Sequence, residues 1–265
     1  MNQSSALDEC FILVKAQPHR SSAYFETVCC AGIGRDGKWR RQYPVPFRIL
    51  NDIQKFRRWD WIEYLYTTSP NDKRWESQKV IPDSLVVGKQ VKKSERAPFL
   101  NPLVRESFED AERRGESLVM LRPSKLEITW VEKSEREIAD ERAKHADLAN
   151  QMSFLDKTAT PLEPCPMQFS ARWKGNDGKY HRHECDDWET STAFNRFERE
   201  YGSQKALEFI RAKYEDEYFK AGLALVFSTH SRRNVTHGTK NQWLLVGLIR
   251  LDVDPQADLL LDLVQ

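Results

Sequence analysis

"GKWRRQYPVPFR", residues 37–48, puts four basic side chains, three aromatic rings and two prolines into twelve positions. Before Pro44 it alternates as an extended chain does. Lys38, Arg40 and Gln42 fall on one side, and Trp39, Arg41 and Tyr43 on the other. The stretch ahead of it, YFETVCCAG (residues 24–32), is rich in β-formers and leads into the turn signal GRDG at 34–37. A β-hairpin across 24–43 is therefore expected. Pro44 and Pro46 have no backbone N–H to donate, so the ladder is expected to stop there. GIGRDG (32–37) also fits G-x-G-x-x-G. That pattern cradles a dinucleotide only where a helix follows, and here a strand follows, so it reads as the hairpin turn.

Outward from this hairpin, CFILVKA (10–16) reads as a buried strand and DWIEYLYTT (60–68) as another. Ile49, Leu50, Ile53 and Phe56 recur at helical spacing, which predicts a short helix over 47–57. Residues 80–91 read as a further hairpin turning near Gly88. Short strands around one small helix predict a barrel-like β domain over residues 1–100. A connector over 101–157 follows: a helix at 102–115 between Pro and Gly, strands at 117–121 and 125–132, and a charged helix at 134–151 read as a bridging arm. Three prolines at 161, 164 and 166 mark a linker. Residues 158–265 read as a smaller α+β domain with an antiparallel sheet. It holds a hairpin turning at 176–178, helices at 190–201 and 204–219, and paired apolar strands at 222–229 and 242–252. The fold class is α+β.

The formal net charge of +1 conceals an uneven distribution. Residues 20–98 carry 16 lysines and arginines against nine acidic residues, whereas 104–163 carry ten against 14. A basic amino-terminal half points to an anionic partner. No apolar stretch approaches the roughly 20 residues of a membrane span, so no membrane partner is expected. The first residues show no basic segment followed by an apolar one, and the five cysteines are an odd number. Both features point to a cytoplasmic location.

Three constellations carry candidate chemistry. The first interleaves Trp39, Trp59, Trp61 and Trp75 with arginines. Lys38, Trp39, Arg40, Arg41, Tyr43, Arg48, Arg57 and Arg58 are the candidate nucleic-acid contacts, because guanidinium forks hold phosphates and exposed rings stack on bases. The opposing reading has the tryptophans in a barrel core and the arginines on its rim. The second is YHRHECDDWE (180–189). On a strand, His181, His183 and Cys185 share one face, a candidate zinc set. Alternatively Asp186, Asp187 and Glu189 hold Mg²⁺ beside His183 and His230, the catalytic set of a metal-dependent nuclease or hydrolase. A structural reading makes Asp186 or Asp187 the cap of the helix that follows. The third is FSTHSRRNVTH (227–237), where Ser228, Thr229, His230, Arg232 and Arg233 at a strand end form a candidate anion site or a connecting loop.

The segments ETVCCAGI, DGKWRRQYPVPFR, WDWIE and RWES in 26–77 resemble a bacterial protein family, together with H…DWE at 183–189 and LVFSTH and WLLVGLI in 225–249. The family's genes lie near mobile-element or phage-defence loci. Some of its members carry a zinc-ligand-like cysteine pair ahead of the His of H…DWE. Residues 171–180 here contain no cysteine, which weakens the zinc assignment. The resemblance implies a defence context and no particular reaction.

The leading expectation is therefore a nucleic-acid-binding accessory or recognition protein of a bacterial defence or mobile-element system. A metal-dependent hydrolase and a protein-interaction subunit of a larger complex are the alternatives.

Overall fold

The computed structural model describes residues 4–21, 25–69, 72–153, 162–229 and 242–253. The strands are β1 (Ala6–Lys15), β2 (His19–Ser21), β3 (Phe25–Ile33), β4 (Trp39–Val45), β5 (Asp60–Thr68), β6 (Ser77–Val80), β7 (Val86–Gln90), β8 (Val104–Arg105), β9 (Leu118–Leu121), β10 (Lys125–Glu132), β11 (Met167–Lys174), β12 (Tyr180–Glu184), β13 (Leu223–Thr229) and β14 (Trp243–Arg250). The helices are α1 (Lys93–Leu100), α2 (Phe108–Arg113), α3 (Glu135–Ser153), α4 (Trp188–Tyr201), α5 (Ser203–Arg211) and α6 (Phe219–Ala221). They sort into two compact units. One comprises residues 1–90, 130–168 and 186–192, and the other 91–129, 169–185 and 193–265. Neither unit is a single block of sequence. Among the described residues no helix is long and apolar enough to cross a membrane.

In the first unit, β1 pairs with β3, β3 with β4, β4 with β6, β6 with β5, and β5 back with β1. The ring closes into a five-stranded barrel, with β2 and β7 as additions beside β3 and β5. All the closing pairs are antiparallel except β4–β6. Numbered within the barrel, the order is 1-2-3-5-4-1, the Greek-key order of an OB-type barrel. Alternation along each strand sends Cys10 and Ile12, Val28 and Cys30, Ile62 and Tyr64, and Val80 into a common core. At Gly32 the strands approach so closely that a Cβ would stand 2.0 Å from the Phe11 carbonyl oxygen, so glycine is required there by contact.

Several expected elements differ. The helix over 47–57 is two 3₁₀ turns, Phe47–Ile49 and Asp52–Gln54, because Leu50 and Asn51 between them are extended, with ψ of 148° and 151°. Pro44 does not end β4. The register jumps from Cys30↔Gln42 to Val28↔Val45, so Tyr43 and Pro44 occupy a bulge in which the missing N–H breaks no ladder bond. Residues 80–91 are not a hairpin, since β6 and β7 both pair with β5, joined over the Pro82–Ser84 turn.

The second unit contains the sheet β14-β13-β9-β8 and most of the sheet β10-β11-β12. The β11–β12 hairpin and the β13–β14 pair form as the sequence predicts. The larger sheet is mixed rather than antiparallel, because β8 runs parallel to β9. The expected helix from Pro102 begins only at Phe108, where the Ser107 side chain accepts from the Asp110 N–H at 3.2 Å. The expected helix 204–219 is interrupted by a π-helical segment, Ala212–Tyr218.

Candidate nucleic-acid interface

On the first half of β4 both faces are covered. Trp39 is buried outside the barrel and Gln42 inside it. Arg40 turns to Asp8, with Nε donating at 2.6 Å, and to Asp36 at 3.2 Å. Asp8 also accepts from Gln78 Nε2 at 2.6 Å, and Gln78 in turn accepts from the hydroxyl of Tyr64. Gln42 Nε2 donates to that hydroxyl at 2.9 Å. A polar chain thus runs from Arg40 through Asp8, Gln78 and Tyr64 to Gln42. Burial, the largest influence, pushes the Tyr64 hydroxyl and the Cys10 thiol well above their usual ranges, so both stay neutral.

Three of the remaining four arginines of the predicted set are also committed internally. Arg41, 4% exposed, pairs with the buried Glu76 at 3.1 Å. Arg58 pairs with both oxygens of Asp187, at 3.0 and 3.1 Å, and reaches Glu189 at 3.4 Å. Arg48 holds Glu26 with one nitrogen on both carboxylate oxygens, 3.0 and 2.8 Å away. His145 of α3 approaches that carboxylate at 3.5 Å, so the charged helix lies against β3. Desolvated pairs of this kind are interior structure rather than a phosphate-binding surface. Of the eight predicted contacts, Lys38, Tyr43 and Arg57 face solvent.

Two aromatic rings remain outside. Tyr43, at the bulge in β4, is 46% exposed, and Trp75, just ahead of β6, is 51% exposed. Parallel pairing sets Arg41 beside Ser77, and the Arg41 N–H donates to the Glu76 carbonyl at 2.8 Å. Tyr43 lies two residues beyond this point on one strand and Trp75 two residues before it on the next. Trp75 itself lies in a turn closed by the Ser77 N–H, which donates to the Arg74 carbonyl at 3.0 Å. Lys73 and Lys38 are exposed nearby in sequence, and Lys79 is half-buried.

The loop carrying Trp75 is braced by Asp72. Its carboxylate accepts from Arg74 Nε at 2.8 Å and from the Ser77 hydroxyl at 2.7 Å. Burial opposes its ionisation, but the bonds from Arg74 and Ser77 outweigh that and hold its pKa down to about 2. OB-type barrels bind ligands on strands two and three and in the loops joining strands one to two and four to five. Tyr43 is on barrel strand three and Trp75 in the loop between strands four and five. Trp75 stood out in sequence only as one of four clustered tryptophans, and nothing local distinguished it from the covered Trp39.

The second constellation serves structure. Asp187 is fully buried. Besides binding Arg58 it accepts from the N–H of Glu189 at 3.1 Å and from the Thr190 hydroxyl at 3.3 Å, which caps α4. The Asp186 carbonyl accepts from the Gln17 N–H. In the second unit, Trp173 Nε1 donates to His183 Nδ1 at 3.1 Å, so that nitrogen is an acceptor and carries no proton. The His181 ring stacks on Trp173 at 4.6 Å and faces Asp177 at 3.1 Å. Phe108, Phe227 and Trp243 complete an aromatic cluster around these rings. Cys185 is buried, bridging to Leu245. Among the described residues no three His, Cys, Asp or Glu side chains come together to hold a metal ion. His230, Arg232 and Arg233 lie outside the described residues.

No curated protein matches this chain. Residues 6–102, which contain the barrel strands, match the model of a domain of unknown function, DUF8758. Residues 103–263 match that of a second, DUF8757, over more than half of the chain, and the protein belongs to that family.

Proposed function

We propose that the protein binds single-stranded nucleic acid on the barrel wall around Tyr43 and Trp75. The observation that carries this reading is the exposure of two large rings on the strand and loop that OB-type barrels use for ligands, with lysines close by in sequence and the neighbouring arginines withdrawn into ion pairs. Stacking on unpaired bases, assisted by lysine contacts to phosphate, binds single strands with little sequence preference. A fold alone assigns no function, so the reading rests on those side chains. The place of this activity in a bacterial defence or mobile-element system is supported by the sequence resemblance alone.

The hydrolase reading has less support. Asp187 could ligate a metal only by releasing Arg58 and its helix cap, and His183 already accepts from Trp173.

The test is fluorescence anisotropy of labelled single- and double-stranded DNA and RNA across a salt series. Binding should be tightest to a single strand, with a log–log slope of about −0.7 for each phosphate neutralised. Tyr43→Ala and Trp75→Ala should each weaken it by about 1–3 kcal/mol, roughly five- to 150-fold, with unchanged far-UV circular dichroism. Unchanged affinity in both folded variants would refute the interface. Flat titrations at low salt would turn the same surface toward a protein partner.

A further inference from the structure

The barrel carries a second exposed wall, formed where β1, β5 and the Pro82–Ser84 turn lie side by side. Cys10 and Ile62 stand opposite one another and point into the core. Alternation therefore turns Leu7, Glu9, Glu63 and Leu65 outward, and the register sets Leu7 beside Leu65 and Glu9 beside Glu63. On the other edge of β5, Val86 stands opposite Glu63. Ile81 follows core-facing Val80 and donates its N–H to the Leu65 carbonyl at 2.9 Å. The outcome is two adjoining rows, Leu7–Leu65–Ile81 and Glu9–Glu63–Val86. Leu7, Val86 and Ile81 are 63%, 56% and 37% exposed, and adjoining exposed aliphatic side chains of this kind mark an interaction surface.

The backbone under this wall is braced. The Ser84 hydroxyl accepts from the Leu65 N–H at 2.8 Å and donates to the Ile81 carbonyl at 2.6 Å. Gln54 Nε2 donates to the Pro82 and Leu85 carbonyls, each at 3.2 Å. With the N–H and the carbonyl of Leu65 both engaged, this part of β5 offers no strand edge, and recognition falls to the side chains.

Charge selects the partner. Glu9 and Glu63 are like charges directly opposite, an arrangement that works against pairing. Arg35 neutralises Glu9 at 2.7 Å. Glu63 and the exposed Asp83 of the turn have no cationic partner among the described residues, and Lys79 lies a row further along β5, opposite Thr67. Two such carboxylates among aliphatic side chains turn the wall away from nucleic acid and anionic lipid. They match a segment that brings its own lysine or arginine alongside aliphatic side chains.

We propose that this wall docks a basic amphipathic helix of a protein partner. The helix lays its aliphatic face on Leu7, Leu65, Ile81 and Val86 and sets a lysine or arginine on Glu63. No residue of this wall belongs to the interface around Tyr43 and Trp75.

Fluorescence anisotropy on the full chain tests this, with a labelled helical peptide of leucine and lysine whose leucines follow one face. The peptide should bind, and its counterpart with glutamate in place of lysine should not. Glu63→Gln should weaken binding about two- to fivefold, the range of an exposed ion pair. Leu7→Ser combined with Val86→Ser should weaken it at least about tenfold. Glu63→Gln should not lower the urea midpoint of the free protein, because Glu63 faces a like charge there. Absence of peptide binding, or affinity unchanged in both variants, overturns the docking wall. A lowered midpoint in Glu63→Gln would make Glu63 a structural residue and overturn its role. A wild-type dimer by light scattering that Leu7→Ser with Val86→Ser abolishes would give the wall to a second copy and overturn the assignment to a basic partner.

Discussion

Arg41 and Arg58 carry formal charges that never reach the surface. Each is less than a tenth exposed and faces a carboxylate that is also buried, Glu76 or Asp187. Removing one member leaves the other charged without compensation in a desolvated site. Arg41→Ala and Arg58→Ala should therefore each destabilise the protein by about 3–5 kcal/mol, read as a lowered urea midpoint. Lys38→Ala and Arg57→Ala, on exposed positions, should stay within about 0.5 kcal/mol. A loss below about 1 kcal/mol in Arg41→Ala would mean that water reaches the pair. Alternation in the sequence separated the faces of β4 correctly, yet it could not show that both are covered. The covering partners lie 35 residues away for Arg41 and 129 for Arg58, distances at which no local pattern is informative. The same limit hid Trp75, whose exposure depends on neighbours brought by parallel pairing.

At the scale of elements, the loop from Asp72 to Ser77 presents Trp75, and its brace responds to pH with a definite sign. The folded pKa of Asp72 is held below the ordinary value of 3.8, to about 2. Its stabilisation is therefore complete above the ordinary value and fades as pH falls toward 2. Asp72→Asn should cost about 1 kcal/mol at pH 6, a modest figure because the carboxylate is partly solvated. The gap between wild type and variant should narrow between pH 4 and pH 2, which urea midpoints at several pH values would show. A gap independent of pH would mean that the carboxylate's charge does not brace the loop. Strands and the two hairpins were legible because alternation and turn residues are local. The pairing of β4 with β6 was not, since parallel closure leaves no local signature. The helix expected at 47–57 was lost for a related reason. Its apolar spacing fits a helix, but Leu50 and Phe56 are drawn into the barrel core, and the chain bends between two 3₁₀ turns to place them there.

On the scale of the whole molecule, the family boundary between residues 102 and 103 does not coincide with the compact unit that contains the barrel. That unit also recruits residues 130–168 and 186–192. Ala16 bridges to Asp187, Gln17 donates to the Ser191 hydroxyl at 2.6 Å, and Phe47 packs edge-on against Trp188 at 5.6 Å. Lys15 lies over the rings of Phe47 and Trp188, and Arg58 depends on Asp187 for its ion pair. A fragment ending at residue 102 keeps every barrel strand yet loses all of these partners. The fragment loses the packing of Trp188 on Phe47, and burial of one large apolar side chain contributes about 1.5–3 kcal/mol, against the roughly 5–15 kcal/mol that holds an ordinary domain together. Fragment 1–102 should therefore unfold at a clearly lower urea concentration than the full chain, or fail to give a cooperative transition. Adding back residues 103–265 should recover part of the loss. A fragment as stable as the full chain would mean that the barrel stands alone and that residues 186–192 only rest upon it. Binding measurements on the isolated barrel would then be informative, whereas an unstable fragment requires the nucleic-acid assay to use the full chain.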